Sequence, residues 1–331
     1  MTRKVLIAID QFAKNSTKCL EDLKDKNFEI ILNETNKPLD CLKDFHLYED
    51  VDYIIAGLED YDASFFDKAK RLKAISRVGV GVDNIDIEAA KKFSKKIFIT
   101  TDKPSVAVAE LCVSNMIALL RGTFLMSADL KRGDWNIIQG RDIRNCTVGI
   151  IGLGSIGKQV VKRLLPFGPK IIGYARTWDQ KFSRKYSVDR YTELDELISS
   201  SDIITIHLPF EESTSNLIDL SLIKLLKKDA IVLNTSRAGV LDNEALADSL
   251  KNKSILGAAI DVFDEDRNIA PYDQLENVIV TPHVGSHTAG TRIAMEESAV
   301  KNILTYDSIL YPAKNQNIAD LLNTIDKYSI A

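Results

Sequence analysis

The stretch GIIGLGSIGKQVVKRL, residues 149–164, constrains this chain more than any other. It sets Gly152, Gly154 and Gly157 in GxGxxG spacing between a β-branched apolar run and an amphipathic one. That order calls for a strand, a tight turn and a helix. Gly152 permits the turn, Gly154 lets backbone approach an anion, and Gly157 lets helix and strand pack closely. The first amides of the helix, at Ser155 and Ile156, then face whatever occupies the turn. The competing reading is a turn with no ligand. The βαβ context favours a dinucleotide.

The rest of the chain repeats the same alternation. KVLIAI, FEIILN, DYIIAG, KAISRVG and IFIT read as strands, separated by helical stretches such as DIEAAKKF. That rhythm implies βα units and a parallel sheet. A long helical run, Val106–Lys131, follows, with Gly122 as a point of interruption and Gly133 as a stop signal. A second series then begins: TVGIIG, KIIGYA, DIITIHLP, AIVLNTS, ILGAAIDV and NVIVTPH. Continuous apolar runs of this kind suit strands covered on both faces. A last helix over Ala289–Tyr306 and a polar tail close the chain. The expected fold is α/β, with two Rossmann-like doubly wound parallel sheets. Residues 1–105 and 290–331 would form a substrate domain, and residues 106–289 a cofactor domain inserted into it.

Several function classes are disfavoured. A net charge of −4 argues against nucleic-acid binding as the default. The N-terminal apolar run is too short for a signal peptide, and no run reaches membrane-spanning length, so a cytoplasmic protein without a membrane partner is expected. Cys19, Cys41, Cys112 and Cys146 are scattered, with no CxxC, and read as free thiols. His283 and His287 are four apart, but Gly285 intervenes and no third ligand suggests itself, so no metal is expected.

Residues after the glycine motif bear on which dinucleotide binds. A ribose hydroxyl is usually held by an acid at the end of the next strand. Here that strand ends in Ala175, followed by Arg176 and Thr177. Alanine cannot accept the hydroxyl. Arg176 can pair with a 2′-phosphate, which an acid would repel, and Thr177 can add a donor. The alternative is a solvated Arg176 stacked on adenine. NADP is favoured over NAD.

Polar residues where strands end supply a chemistry. Arg237 follows IVLNTS, His283 follows NVIVTP, and DVFDED holds Asp261, Asp264, Glu265 and Asp266. An arginine can bind a carboxylate bidentately and polarise a neighbouring carbonyl. A histidine can donate the proton as a hydride arrives, and an acid can orient it and raise its pKa. This set suits reduction of a 2-keto acid.

SRVGVGVDNIDIEAA, VAEL, GIIGLGSIGKQV, LNTSRAGVLDNEAL, GAAIDVFDED and NVIVTPHVGSHT, in this order, resemble the D-isomer-specific 2-hydroxyacid dehydrogenases across nearly the whole chain. The branch it most resembles is the short phosphoglycerate-dehydrogenase-like one without a regulatory domain. The resemblance implies a flavodoxin-like substrate domain and makes Arg237 and His283 the catalytic pair. It places the catalytic acid five residues after Asp261, on Asp266, where the family has glutamate, and Arg267 stands where proline is usual. Aspartate reaches about 1.5 Å less far. Asp266 with a small backbone shift, Glu265 swinging in, or a weakened site are the three readings, and Asp266 is preferred. The resemblance also implies that Val80 and Gly81 amides hold the substrate carboxylate. It gives Arg77 either a distal substrate anion or the bland role of a surface strand charge. It puts Val108, Leu208, Pro209, Thr214, Thr235, Ser236, Asp261 and Gly285 along the cofactor. His207 is read as a loop residue beside the adenine end. The region of Trp135 is expected to pack in a homodimer.

The leading reading is therefore an NAD(P)-dependent oxidoreductase for a small 2-keto or 2-hydroxy acid of the phosphoglycerate, hydroxypyruvate or glyoxylate type. The alternative is a cofactor-sensing interaction protein of the corepressor type on the same fold.

Overall fold

The β-branched runs of both series form strands in the computed structural model, which describes residues 2–35, 37–101, 103–263, 268–312 and 318–331. The chain divides into two compact units, Met1–Pro104 with His287–Ala331, and Ser105–Ser286.

In the first unit, β1 (Arg3–Ile7), β2 (Phe28–Leu32), β3 (Tyr53–Ala56), β4 (Ala74–Arg77) and β5 (Lys96–Phe98) form a parallel sheet in the order β2-β1-β3-β4-β5. This is the 2-1-3-4-5 order of flavodoxin-like folds. β3 and β4 are buried along their whole length. Below them Tyr48, Tyr61 and Phe65 pack edge-on, with Tyr61 and Phe65 centroids 4.9 Å apart, a geometry aromatic quadrupoles favour. The helix at Ala289–Leu310 runs one turn past the expected end at Tyr306. The tail is not merely polar. It holds a helix at Ile318–Ile325, buries Ile325 among Val5, Met295 and Ile303, and bridges Ser329 to Phe98. Ile318, Leu321, Leu322 and Ile325 recur at helical spacing, a signal the reading of a polar tail overlooked.

In the second unit, β6 (Thr147–Ile151), β7 (Lys170–Tyr174), β8 (Val188–Arg190), β9 (Ile203–Ile206), β10 (Ile231–Asn234), β11 (Gly257–Ile260) and β12 (Val278–Val280) are all parallel. Their order is β12-β11-β10-β9-β6-β7-β8. Counted from β6 this is the Rossmann order 3-2-1-4-5-6 with one further strand, and its switch point lies between β6 and β9. β9, β10 and β11 are wholly buried, which is why their sequences do not alternate.

The long helical run breaks at Gly122, as expected, into Ser105–Arg121 and Thr123–Arg132, bent by 61°. Gly122 makes the break in the left-handed region, at φ +59, and Gly133 closes the second helix at φ +94. Residues 131–140 are all exposed, including Trp135 and Ile137 at 81% and 83%. No single described helix is long and apolar enough to cross a membrane; by length and composition only the bent pair might.

Candidate active site

Because every strand of the second sheet is parallel, the loops after β6, β7, β9, β10, β11 and β12 share one edge. The glycine loop comes first. Gly152 sits at φ +99, and a Cβ there would lie 2.4 Å from the His207 carbonyl oxygen. A Cβ on Gly157 would lie 2.1 Å from the Gly152 carbonyl oxygen. Neither position tolerates a side chain. Gly154, by contrast, meets nothing within 4 Å and caps the helix Ser155–Leu164, whose first turn carries no acid. An open cradle at a helix N-terminus without an opposing carboxylate fits a dinucleotide diphosphate. Ser155 is exposed and Ile156 half-buried at that terminus.

At the end of β7, Ala175 is half-buried while Arg176 and Thr177 are exposed. Arg176 Nη1 lies 3.2 Å from Glu211 Oε2, on the loop after β9. Sequence reading did not single out Glu211, because nothing in its local pattern says which loop it will face. On that loop Leu208 is half-buried and Pro209 exposed, and the Pro209 carbonyl accepts from Thr214 Oγ1 at 2.7 Å.

His207 is the first loop residue after β9, as read, and it is buried: 9% exposed, with Nε2 2.9 Å from Thr205 Oγ1. Burial pushes its pKa down to about 3, so the ring is neutral near pH 7. The reason is topological: His207 follows a central strand directly, and its carbonyl backs the glycine turn.

After β10, Asn234 is fully buried and ties the next residues together. Its Oδ1 accepts from Ser236 N at 3.0 Å and Ser236 Oγ at 2.8 Å, and its Nδ2 donates to the Arg237 carbonyl at 2.9 Å. Arg237 is half-buried, with Nη1 donating to the Ser236 carbonyl at 2.7 Å. Thr235 and Ser236 are buried, and Thr235 Oγ1 contacts Cys112 Sγ at 3.2 Å.

After β11 and β12 lies the most constrained turn. Asp261, 2% exposed, accepts Thr281 Oγ1 at 2.6 Å and Val284 N at 2.8 Å on Oδ1, and Gly285 N at 2.8 Å on Oδ2. These bonds bracket His283, an exposed residue held at φ +53. A non-glycine residue in that region is strained and persists only where its surroundings impose it. Gly285 is buried between Asp261 and Val108: a Cβ there would lie 3.0 Å from Asp261 Oδ2 and 3.2 Å from Val108 Cγ2. Asp264, Glu265, Asp266 and Arg267 lie outside the described residues.

In the first unit, the loop after β4 holds Val80 and Gly81. Their N–H groups donate to no acceptor among the described residues, and Val80 is 44% exposed. Arg77 is not a surface strand charge. It is 8% exposed, and its Nη1 donates to the Val78 carbonyl at 3.0 Å. Its guanidinium occupies the space where a Cβ on Gly79 would go, 1.0 Å from Nη1. Thr100 Oγ1 accepts from Gly79 N at 2.8 Å and Thr100 N donates to the Gly79 carbonyl at 2.9 Å. Sequence reading missed Thr100, whose partner Gly79 lies 21 residues away, and Asn234, whose local bonds to Ser236 and Arg237 an Asx-type turn signal could have found.

Known proteins resemble this chain over most of its length. Residues 113–285 match the family model described as D-isomer specific 2-hydroxyacid dehydrogenase, NAD binding domain. The D-3-phosphoglycerate dehydrogenase of Methanocaldococcus jannaschii is 40% identical over 247 residues, 72% of this chain and 47% of that protein. The chain thus spans about half the length of that relative. The glyoxylate reductase of Thermococcus onnurineus is 32% identical over 321 residues, 92% of this chain and 93% of that protein. A D-lactate dehydrogenase from Aquifex aeolicus, solved with NAD and lactic acid, shares the fold at TM-score 0.83 and 22% identity, over 99% of both chains.

Proposed function

This chain belongs to the D-isomer specific 2-hydroxyacid dehydrogenase family, a family of NAD(P)-dependent oxidoreductases, and we propose from that premise that it reduces a small 2-keto acid, with NADPH preferred. The observation that carries the reading is that one sheet edge presents the glycine cradle, the half-buried Arg237 and the clamped His283 together. A bound nicotinamide dinucleotide supplies the hydride. Gly154, Ser155 and Ile156 hold its diphosphate through backbone N–H groups. Val108, Leu208, Pro209, Thr214, Thr235, Ser236 and Gly285 line its length.

Arg237 pairs with the substrate carboxylate and polarises the 2-keto oxygen, on which negative charge builds during reduction. His283 delivers the proton to that oxygen as general acid. Asp266 serves as its acid partner. Asp261 holds the turn that aims the imidazole. Val80 and Gly81 offer their N–H groups to the substrate carboxylate, and Arg77 shapes that loop from beneath. Arg176, exposed and without an acid at Ala175, favours the 2′-phosphate of NADP. Glyoxylate and hydroxypyruvate are the best candidates, with phosphohydroxypyruvate third, since Arg77 is occupied by its own loop. The exposed Trp135 and Ile137 support a homodimer built on that arm, which light scattering of the purified protein tests.

The deciding experiment follows oxidation of NADPH and NADH separately with glyoxylate, hydroxypyruvate, phosphohydroxypyruvate and 2-ketoglutarate. Faster turnover of the shorter acids with NADPH is expected. Turnover with NADH alone overturns the cofactor preference. Silence with every pair overturns the reaction. His283→Ala should abolish turnover and keep cofactor affinity, which a cofactor-sensing protein without chemistry cannot reproduce.

A further inference from the structure

The end of β7 lacks the acid that usually receives a ribose hydroxyl, but the fold brings one in from another loop. In the sheet, β6 lies between β9 and β7, so the loops after β9 and β7 flank the glycine turn. Arg176 on one side and Glu211 on the other meet at 3.2 Å. Their side chains are 78% and 43% exposed, so the pair is open to an incoming ligand.

The two partners are not equally anchored. Glu211 heads a capping box: its backbone N donates to Thr214 Oγ1 at 2.8 Å, and its side chain accepts from the Thr214 backbone N. Thr214 Oγ1 in turn donates to the Pro209 carbonyl at 2.7 Å. The carboxylate is therefore held in place by its own loop. Arg176 has the longer side chain and reaches to meet it.

We propose that Glu211 is a specificity-determining residue for the dinucleotide, standing in for the missing acid after β7 and competing with a 2′-phosphate for Arg176. A ribose 2′-hydroxyl can donate to a carboxylate at this rim. A 2′-phosphate must take Arg176 away from Glu211 and then sit beside its negative charge. Arg176 thus attracts NADP while Glu211 limits how far the preference goes. Because the pair is exposed, the effect is modest and screened by salt. The inference rests on Arg176 as the 2′-phosphate partner.

The test is calorimetric binding of NADPH and NADH, with no substrate present, to the wild-type protein, Glu211→Gln and Arg176→Gln. Glutamine keeps an oxygen for the Thr214 N–H and removes only the charge. Glu211→Gln is expected to tighten NADPH by about three- to tenfold at low ionic strength. It should leave NADH unchanged or weaker, with the difference shrinking in high salt. Arg176→Gln should weaken NADPH and spare NADH. If Arg176→Gln weakens NADPH but Glu211→Gln shifts both dinucleotides equally or neither, the selector is overturned and the Arg176 reading stands. If Arg176→Gln leaves NADPH unaltered, both fall.

Discussion

The loop after β6 and the loop after β4 look alike and are held open differently. Each leaves a parallel strand and turns on a glycine of positive φ, Gly152 at +99 and Gly79 at +155. Around Gly152 the walls are backbone: the His207 and Gly152 carbonyls stand where side chains on Gly152 and Gly157 would be. Around Gly79 the walls are side chains, the Arg77 guanidinium and the Thr100 hydroxyl. A loop set by backbone packing needs glycines at fixed spacing and can be recognised as a motif. A loop set by side chains borrows them from wherever the fold delivers them.

The contrast breaks first at Gly157. Alanine there meets a carbonyl oxygen that cannot move without moving the turn, so Gly157→Ala should cost about 3 kcal/mol or more in stability and abolish dinucleotide binding. Thermal denaturation and a cofactor titration check this, and normal binding would mean the turn is softer than its packing implies. Next comes Asp261→Ala, which leaves the Thr281 hydroxyl and the Val284 and Gly285 amides without their acceptor. It should destabilise by about 2–4 kcal/mol and lower kcat with glyoxylate about 100-fold as His283 relaxes from its strained backbone. Asp261→Asn should recover part of both. Retained kcat in a destabilised variant would show that the clamp serves folding alone.

The side-chain-held loop should break more gently. Arg77→Met and Thr100→Val are each expected to reduce kcat/KM about tenfold, roughly 1–2 kcal/mol for one hydrogen-bonded support. The loss should be the same for glyoxylate as for phosphohydroxypyruvate. A loss confined to phosphohydroxypyruvate would instead make Arg77 a binder of the distal phosphate.

The smallest effect concerns His207, on the buried side of the glycine turn. Its ring has an ordinary pKa of 6.5 when unfolded and about 3 in place. Between those values the unfolded chain binds the extra proton, so stability falls as pH drops from about 6.5 toward about 3. His207→Gln should flatten that fall, as read from urea midpoints at pH 7 and pH 5. Parallel losses in both proteins would place the acid sensitivity elsewhere.

Much of this was legible before folding was considered. The apolar runs of β9, β10 and β11, the GxGxxG turn and the strand-end positions of Arg237 and His283 follow from local rules of periodicity and backbone sterics. Gly122 and Gly133 marked where helices break and stop. Harder to read was anything that depends on two distant segments meeting. His207 is a loop residue, as read, but its burial follows from the strands on either side of β9. The acid partner of His283, read as Asp266, falls outside the described residues, and its role rests on the turnover experiments.

By itself, then, the sequence determined the α/β class, the nucleotide turn and the family, because each is encoded in short-range spacing. Only the tertiary structure decided that Glu211 faces Arg176, that Asp261 grips the His283 turn, and that Thr100 and Arg77 prop Gly79. The physical reason is range. Backbone conformation is set within a few residues, whereas a hydrogen-bond partner 20 to 35 positions away is chosen by strand order, and strand order is a property of the whole sheet.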